Sequence, residues 1–429
     1  MQLLRTSDAD FETKFSKIVR DRRESDQQVG RDVATMLNEV RERGDSALVE
    51  YTARFDQHNL SSDEHWSISK EACKTAYDRL DAELREALET AAARIRAYHE
   101  GQLPENRDYT DAIGMRLGAR WGAVEAAGLY VPGGRAAYPS SLLMNAIPAK
   151  VAGVDRLVVT TPTPKGEMND LVLAAAHIVG VDEIYRVGGA QAVAALAYGT
   201  DRIARVDVVV GPGNAWVAEA KRQLYGVVGI DMVAGPSEIL VIADKDNNPE
   251  WIAADLLSQA EHDPTSQSIL ITDDRGFASQ VMDQIDLEFL KLPTAKTAKA
   301  SWDDHGLVVL VESLEEAPAL SDRLAAEHVE IATADPEAIF AKLRHAGSVF
   351  LGRMAPEAVG DYIAGPNHVL PTGRRARFAS GLSVLDFMKR TSFIGVSEDA
   401  LKAIGPAAVR LAEAEGLPAH ALSISRRLS

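Results

Sequence analysis

Hydrophobic positions in residues 28–101 follow a helical spacing. The first apolar face falls at i, i+3, i+4 and i+7 and consists of Val33, Met36, Leu37 and Val40. Residues 69–99 continue the pattern, with alanine-rich apolar positions between many charged ones. Gly44 and Gly101 predict breaks, because glycine commonly ends helices. The first quarter of the chain is therefore predicted to be helical.

A different pattern begins near residue 122, where short apolar runs rich in β-branched residues alternate with helical segments. The runs cover residues 156–161, 183–187, 206–210, 238–242, 268–272, 307–311 and 348–351. Alternation of this kind predicts βαβ units and parallel sheets, and continuous apolar strands indicate burial on both faces. The predicted fold class is α/β, with enough strands for two sheets of moderate size.

Residues from Ser397 onward return to helical spacing. One apolar face comprises Leu401, Ile404, Ala408, Leu411 and Ala412. Gly416 ends this helix, and Pro418 opens a short last one. Because this tail is too small to form a core of its own, we expect it to dock on the body of the protein or on another subunit.

Composition narrows the class of protein. The 429 residues exceed one ordinary core, so two or three domains are expected. The net charge of −17 disfavours nucleic acid and anionic membranes as partners. The single cysteine, Cys73, cannot form an intrachain disulfide or a cysteine-rich zinc site. With no signal-peptide pattern and no apolar run of about 18 residues, the sequence predicts a cytoplasmic protein without a membrane anchor.

The first candidate cluster is Gln259 and His262, near the end of a predicted helix. The helix closes there because Asp263 precedes a proline and is pushed out of helical geometry. Gln259 and His262 are three residues apart, so they face the same side. An amide oxygen and an imidazole nitrogen on one face make half of a metal site. The alternative is a structural histidine near a helix end.

The second cluster is Glu327 with His328, where a helix gives way to an apolar run. Element ends of this kind are where α/β enzymes place catalytic groups, and a neighbouring carboxylate and imidazole can divide acid and base duties. The alternative is two surface polar residues.

Two further clusters lie near the C-terminus. Residues 360–372 form a loop rich in glycine and proline that contains Asp361 and His368, and its alternative interpretation is an ordinary exposed loop. Glu415 and His420 stand at a tight corner between two helices. Their alternative interpretation is a helix stop, with a histidine that suits the helix dipole.

Glycine-rich turns follow apolar runs at residues 130–135, 187–191 and 210–214, and the last two precede helices. A strand, a glycine turn and a helix start form the geometry that binds a phosphate or dinucleotide. No strict G-x-G-x-x-G occurs, however, so each turn is alternatively a tight connection and nothing more. A further turn, at residues 235–238, precedes a strand.

In order along the chain, these motifs resemble the histidinol dehydrogenase family. The matching segments are Tyr130-Val131-Pro132-Gly133-Gly134, Val187-Gly188-Gly189-Ala190-Gln191-Ala192, Val210-Gly211-Pro212-Gly213-Asn214, Gly235-Pro236-Ser237-Glu238, Ser258-Gln259-Ala260-Glu261-His262, Glu327-His328, Gly360-Asp361, Asn367-His368 and Glu415-Gly416-Leu417-Pro418-Ala419-His420. The resemblance covers nearly the whole chain. It implies oxidation of L-histidinol to L-histidine in two NAD-dependent steps, through an aldehyde held by the enzyme.

The resemblance also implies a set of site residues. One zinc ion per subunit would be bound by Gln259, His262, Asp361 and His420. Glu327 and His328 would be the catalytic acid–base pair. The substrate would contact Ser237, Gln259, His262, His328, Asp361, His368, Glu415 and His420. NAD would contact Tyr130, Gln191 and Asn214.

The fold implied by the resemblance has two incomplete Rossmann-like domains with parallel sheets and small helical N- and C-terminal tails. The expected boundaries are an N-terminal tail at 1–25, a discontinuous α/β domain at 26–129 and 239–381, an NAD-contacting domain at 130–238 and a C-terminal helical tail at 382–429. The first α/β domain would contain the zinc ligands and the catalytic residues. A homodimer with intertwined tails and a shared active site is expected.

Three alternatives remain on sequence grounds. A relative with the same fold and zinc could act on another alcohol, such as a sulfonated diol, although Glu415, His368 and His420 suit an amine and an imidazole. A metal-dependent hydrolase could use Glu327 as its base, but it leaves the three glycine turns unexplained. A non-catalytic binding protein leaves the coincidence of metal ligands and an acid–base pair unexplained.

Overall fold

A computed structural model describes residues 1–21, 27–133 and 138–428. Its strands are β1 (Gln2–Arg5), β2 (Arg107–Thr110), β3 (Met115–Ala123), β4 (Ala126–Tyr130), β5 (Arg156–Thr160), β6 (Glu183–Tyr185), β7 (Val208–Val210), β8 (Gly229–Ile230), β9 (Glu238–Ala243), β10 (Gln267–Thr272), β11 (Leu307–Leu310), β12 (His328–Ala332), β13 (Ser348–Leu351) and β14 (Met388–Val396).

The helices are α1 (Phe11–Asp21), α2 (Gln27–Arg43), α3 (Asp45–Asp56), α4 (Asp63–Trp66), α5 (Lys70–Arg79), α6 (Ala82–Glu100), α7 (Pro139–Ala152), α8 (Asp170–Val179), α9 (Gly189–Tyr198), α10 (Ala215–Leu224), α11 (Pro249–Ala260), α12 (Arg275–Glu288), α13 (Ala295–His305), α14 (Ala317–Leu324), α15 (Pro336–Phe340), α16 (Glu357–Tyr362), α17 (Glu398–Ala414) and α18 (Pro418–Ser425). Many begin at a side-chain cap that accepts a hydrogen bond from the first turn, as Asn248 does for α11.

The smaller parallel sheet has five strands within the described residues, in the order β6-β5-β4-β7-β8. All of its neighbouring strands pair in parallel. Helices α7 and α8 cover one face, and α9 and α10 cover the other. Burial on both faces explains why these strands are continuously apolar rather than alternating.

The larger sheet has the order β1-β11-β10-β9-β12-β13, and all of these strands are also parallel. Without its edge strand β1, it repeats the strand order of the smaller sheet. Helices α11, α12 and α13 cover one face, and α1 and α14 cover the other. The prediction of an α/β fold with two incomplete Rossmann-like units is confirmed.

Packing also groups segments in ways that the sequence patterns did not predict. Helices α2 and α3 share a core with α9 and α10, and α6 packs with α7. Helices within residues 27–100 therefore pack against helices of the smaller sheet, and the grouping of residues 26–129 with 239–381 in one domain stays a prediction. Strand β1, within the expected N-terminal tail, pairs with β11 because its short apolar run completes the edge of the larger sheet.

The C-terminal tail contains a strand as well as helices. β14 pairs antiparallel with β3, which pairs antiparallel with β2. This sheet has many exposed positions, and α17 packs against α18 beyond it. Among the described residues, none of the helices combines the length and the apolar character needed to cross a membrane.

Candidate active site

Glu327 and His328 lie at the amino end of the larger sheet, beside the first residue of β9. The backbone N–H of Glu238 donates to Oε2 of Glu327 at 3.0 Å. The Nδ1 atom of His328 lies 3.2 Å from the carbonyl oxygen of Glu238. A carbonyl oxygen can only accept, so this contact requires the proton on Nδ1. The backbone of Glu238 thus orients both side chains and leaves Nε2 of His328 as the free basic atom.

Burial shapes the protonation of this pair. The pKa of Glu327 is raised well above its ordinary value, first by burial and then by the charges of neighbouring carboxylates, including Asp361. Burial also lowers the pKa of His328, although the charge of Asp361 opposes this shift. A neutral imidazole near neutral pH is the protonation state that a general base requires.

The Nε2 atom of His328 faces two carboxylates from α16. It lies 3.5 Å from Oε1 of Glu357, and it is buried with no hydrogen-bond partner among the described residues. Ligand atoms of His328, Glu357 and Asp361 all lie within 4.8 Å of one another. Glu357 was not predicted from the sequence, although it precedes Asp361 by four residues and so shares its helix face. Ser258 donates to Oε2 of Glu357 at 3.3 Å.

Two predicted metal ligands lie at the carboxyl end of α11. Gln259 is buried, and its Oε1 has no hydrogen-bond partner in the described part of the chain. His262 is exposed just beyond the helix, and its charge acts on the pKa of both Asp361 and His328. An unpartnered amide oxygen, a carboxylate and an imidazole suit a zinc ion, and a helix carboxyl end favours a cation. The residues present therefore fit a zinc site.

Two predicted substrate contacts lie around this cluster. The Nε2 atom of His368 is buried without a partner among the described residues. Burial lowers the pKa of His368, and the nearby charge of Asp361 opposes that shift. Ser237 is partly exposed in a turn that is tied to the loop after His368, because the N–H of Gly235 donates to Oγ1 of Thr372.

Within one chain, Glu415 and His420 lie away from the cluster of His328, Glu357 and Asp361. Both are exposed, at the corner between α17 and α18. In the described residues, no side-chain hydrogen bond or ion pair links either of them to α11, β12 or α16. Within one chain, Asp361 therefore lies in a cluster with His328 and Glu357, and the charge of His262 reaches Asp361 and His328, whereas His420 lies apart from them.

The predicted coenzyme contacts lie at the carboxyl ends of the smaller sheet. The hydroxyl of Tyr130, at the end of β4, accepts a hydrogen bond from the N–H of Gly189 at 3.1 Å. Gln191 is buried at the start of α9, and neither polar atom of its side chain has a described partner. Asn214 caps α10 through its Oδ1. Gly134, part of the first glycine motif, lies outside the described residues.

The carboxyl end of the smaller sheet and the amino end of the larger sheet approach each other around α7. Asn367 donates to the carbonyl oxygen of Met144 in α7 at 2.6 Å. Burial raises the pKa of Tyr138, just before α7, and so does the charge of Asp263 beyond α11. These contacts place the beginning of α7, which follows the carboxyl end of β4, near the carboxyl end of α11 at the amino end of the larger sheet.

Comparison with known proteins adds relatives of the whole chain. The family model for histidinol dehydrogenase matches residues 19–428. Histidinol dehydrogenase of Zymomonas mobilis is 64% identical over 421 residues, which cover 98% of each chain. That of Rhodospirillum rubrum is 60% identical and covers 99% of this chain and 98% of its own.

A solved structure agrees with these relatives. The crystal structure of histidinol dehydrogenase from Elizabethkingia anophelis matches with a TM-score of 0.92 at 35% identity, covering 100% of this chain and 98% of that chain. Since each of these relatives is described as a histidinol dehydrogenase, the alternative of another alcohol substrate finds no support in them.

Proposed function

The chain belongs to the histidinol dehydrogenase family, and from this premise we propose how its residues carry out the family's reaction. It is a zinc- and NAD-dependent oxidoreductase that converts L-histidinol to L-histidine through L-histidinal, in the last steps of histidine biosynthesis. The proposal also includes the residue roles, a homodimer and a cytoplasmic location.

The proposal rests above all on the position of His328. Its Nδ1 is held by the Glu238 carbonyl, and its Nε2 is buried without a hydrogen-bond partner among the described residues, beside Glu357 and Asp361. In the alcohol step, Nε2 would take the hydroxyl proton of the substrate, and NAD, when bound, would supply the acceptor for the hydride of the carbinol carbon. Histidine suits this role because its unperturbed pKa of about 6.5 lets it reload near neutral pH.

The second oxidation requires water, because an aldehyde is a poor hydride donor until it is hydrated. Glu327 is the spare carboxylate beside His328, with a side-chain hydrogen bond from the Glu238 N–H. We assign it the activation of that water. After hydration, the hydrate is an alcohol again, and His328 takes its hydroxyl proton as in the first step.

The metal ligands proposed are Gln259, His262 and Asp361 from one subunit, with His420 as the fourth. When bound there, zinc lowers the pKa of the substrate hydroxyl and so eases its deprotonation. His368 and Ser237 would position the substrate, and Glu415 would pair with its ammonium group.

The coenzyme would bind across the carboxyl ends of β4, β6 and β7. There the amino ends of α9 and α10 favour the anionic pyrophosphate. The unpartnered amide of Gln191 and the side chains of Tyr130 and Asn214 would supply contacts.

The direct test of the reaction is stoichiometry. With L-histidinol and excess NAD, two NADH should form for each L-histidine produced, and a chelator should abolish turnover until zinc is restored. A ratio of one, with L-histidinal as the final product, would contradict the proposed four-electron reaction. Comparable turnover with a sulfonated diol would favour the other-alcohol alternative.

The exposed positions of Glu415 and His420 support a homodimer in which the tail of one subunit completes the other's site. Mixing His262→Asn with His420→Asn subunits tests this, because a heterodimer would hold one site with all four ligands. Activity should partly return on mixing, while each variant mixed with itself stays inactive. No recovery after verified subunit exchange would place all ligands of a site in one chain.

A further inference from the structure

Arg374 is fully enclosed at the amino end of the larger sheet. Its side chain is 0% exposed, and Nη1 lies 3.0 Å from Oε1 of Glu238, whose side chain is also 0% exposed. Its Nη2 donates to Oε1 of Gln267 at 2.8 Å. Glu238 and Gln267 are the first residues of β9 and β10 and stand opposite each other in the parallel pairing. One guanidinium therefore joins the beginnings of two central strands.

The backbone at Arg374 adopts a left-handed conformation, which is unfavourable for an arginine. Arg374 has a φ of +68°, in the left-handed region that disfavours residues with a Cβ. Glycine or asparagine would adopt this φ at less cost. A non-glycine residue kept in such a conformation, with its charge buried, often marks a functional constraint. The contacts of the side chain explain why this residue is arginine, because its planar guanidinium binds Glu238 and Gln267 together.

The ion pair connects Arg374 to the acid–base pair through a single residue. Glu238 presents its side chain to Arg374, its N–H to Glu327 and its carbonyl oxygen to His328. The guanidinium of Arg374 contacts Glu238 and Gln267, and Glu238 links it to Glu327 and His328. A shift at Glu238 would therefore displace both of the latter side chains, and small misplacements of reacting groups cost up to about 100-fold in rate.

We propose that Arg374 is a positioning residue of the reaction: its buried ion pair with Glu238 fixes the peptide groups that orient Glu327 and His328. This inference rests on the proposed roles of Glu327 and His328. It extends the active site to residues that touch neither substrate nor coenzyme.

A charge-neutral double variant separates positioning from a purely structural role. Arg374→Gln and Glu238→Gln should each lower stability, because each leaves a charge buried without its main partner. The double variant leaves no such charge, so its melting temperature should recover relative to the single variants. Its kcat should stay about 10-fold to 100-fold low, with KM for L-histidinol and NAD within about threefold of the unmutated enzyme. If kcat recovers together with stability, the ion pair is only structural and the proposal is wrong.

A second ion pair, just beyond the other end of β9, provides a control for strand position. Arg353 donates from Nη2 to both carboxylate oxygens of Asp244 at 2.8 Å, just beyond the carboxyl end of the strand. Arg353→Gln removes an arginine–carboxylate pair next to the carboxyl end of β9 and leaves its amino end unchanged. It should leave kcat unchanged, and an equal fall in kcat would overturn the link to strand position.

Arg374→Lys keeps the inference testable if the double variant does not fold. Lysine retains the buried charge but lacks the planar fork, so we expect folded, zinc-loaded enzyme with a lowered kcat and unchanged KM values. A kcat within twofold of the unmutated enzyme would overturn the proposal. His328→Asn is measured beside it: if that variant is fully active, the proposed function itself has failed rather than the role of Arg374.

Discussion

The two parallel sheets share one strand order, but their predicted site residues lie at opposite ends of the strands. In the smaller sheet, Tyr130, Gln191 and Asn214 lie at the carboxyl ends of the strands, which is where open α/β sheets usually bind ligands. In the larger sheet, Glu327, His328 and Gln259 lie at the amino ends. The same topology thus places the proposed coenzyme contacts and the proposed metal ligands at ends of opposite polarity.

Helix dipoles explain this difference. The amino ends of α9 and α10 point partial positive charge at the proposed pyrophosphate site. The carboxyl end of α11 presents partial negative charge beside Gln259, where a cation is favoured. Two similar units that present opposite ends can therefore favour an anionic coenzyme at one and a zinc ion at the other.

The largest expected effects come from the acid–base pair. His328→Asn should slow both oxidations by roughly 100-fold to 10,000-fold, the usual cost of losing a general base. Glu327→Gln should mainly slow the oxidation of L-histidinal, because only that step needs activated water. Supplying alcohol and aldehyde separately while following NADH measures each step.

Glu312→Gln serves as the control for these variants, since Glu312 is an exposed carboxylate beyond the opposite end of the larger sheet. It should retain normal rates. If Glu327→Gln oxidises L-histidinal at the unmutated rate, or if His328→Asn leaves the alcohol step untouched, the proposed division of roles is wrong.

Changes to the proposed metal ligands should alter zinc binding without altering NAD binding. His262→Asn should lower zinc content or affinity by well over the roughly 10-fold typical of an outer-shell change, because a direct ligand is lost. NAD affinity, measured by fluorescence titration, should remain unchanged. Full zinc content in this variant would remove His262 from the proposed ligand set.

The reciprocal change is Gln191→Ala at the coenzyme end. Loss of a typical hydrogen bond should raise the Kd for NAD by about 10-fold, while zinc content stays normal. The measurement is the same titration together with metal analysis. A lowered zinc content with unchanged NAD binding would contradict the separation of the two ends.

The smallest effect concerns buried acids on the face of β12 toward α11. Burial raises the pKa of Glu330 to about 9 and that of Asp255 to about 6. A carboxyl group whose pKa is raised on folding favours the folded state fully only below its unfolded pKa, about 4.3 for glutamate. That contribution is lost as pH rises toward about 9.

Glu330→Gln should therefore lose less stability than the unmutated protein between pH 6 and pH 9, because glutamine stays neutral. Urea unfolding midpoints at both pH values measure the difference. Parallel declines in the two proteins would show that Glu330 does not hold a proton in the folded state.

The sequence by itself determined the architecture of the two units, because long apolar runs alternating with helical segments admit few arrangements other than buried parallel sheets. It also supplied the site residues that remain predictions, since Gln259 with His262 and Glu327 with His328 lie close together along the chain. Glu357 was missed although its spacing from Asp361 placed it on the same helix face. Arg374 gave no local signal, because its partners are 136 and 107 residues distant along the chain.

Only the tertiary structure decided which strand ends are used, and which segments join which core. The helices at residues 27–100 pack on the smaller sheet because their apolar faces meet α7, α9 and α10, a contact that helical spacing alone cannot assign. Periodicity reports which face of an element is buried but not against what. The choice of strand end for each site, and the contacts of Glu238 with Arg374, Glu327 and His328, depend on strands that are far apart in the sequence.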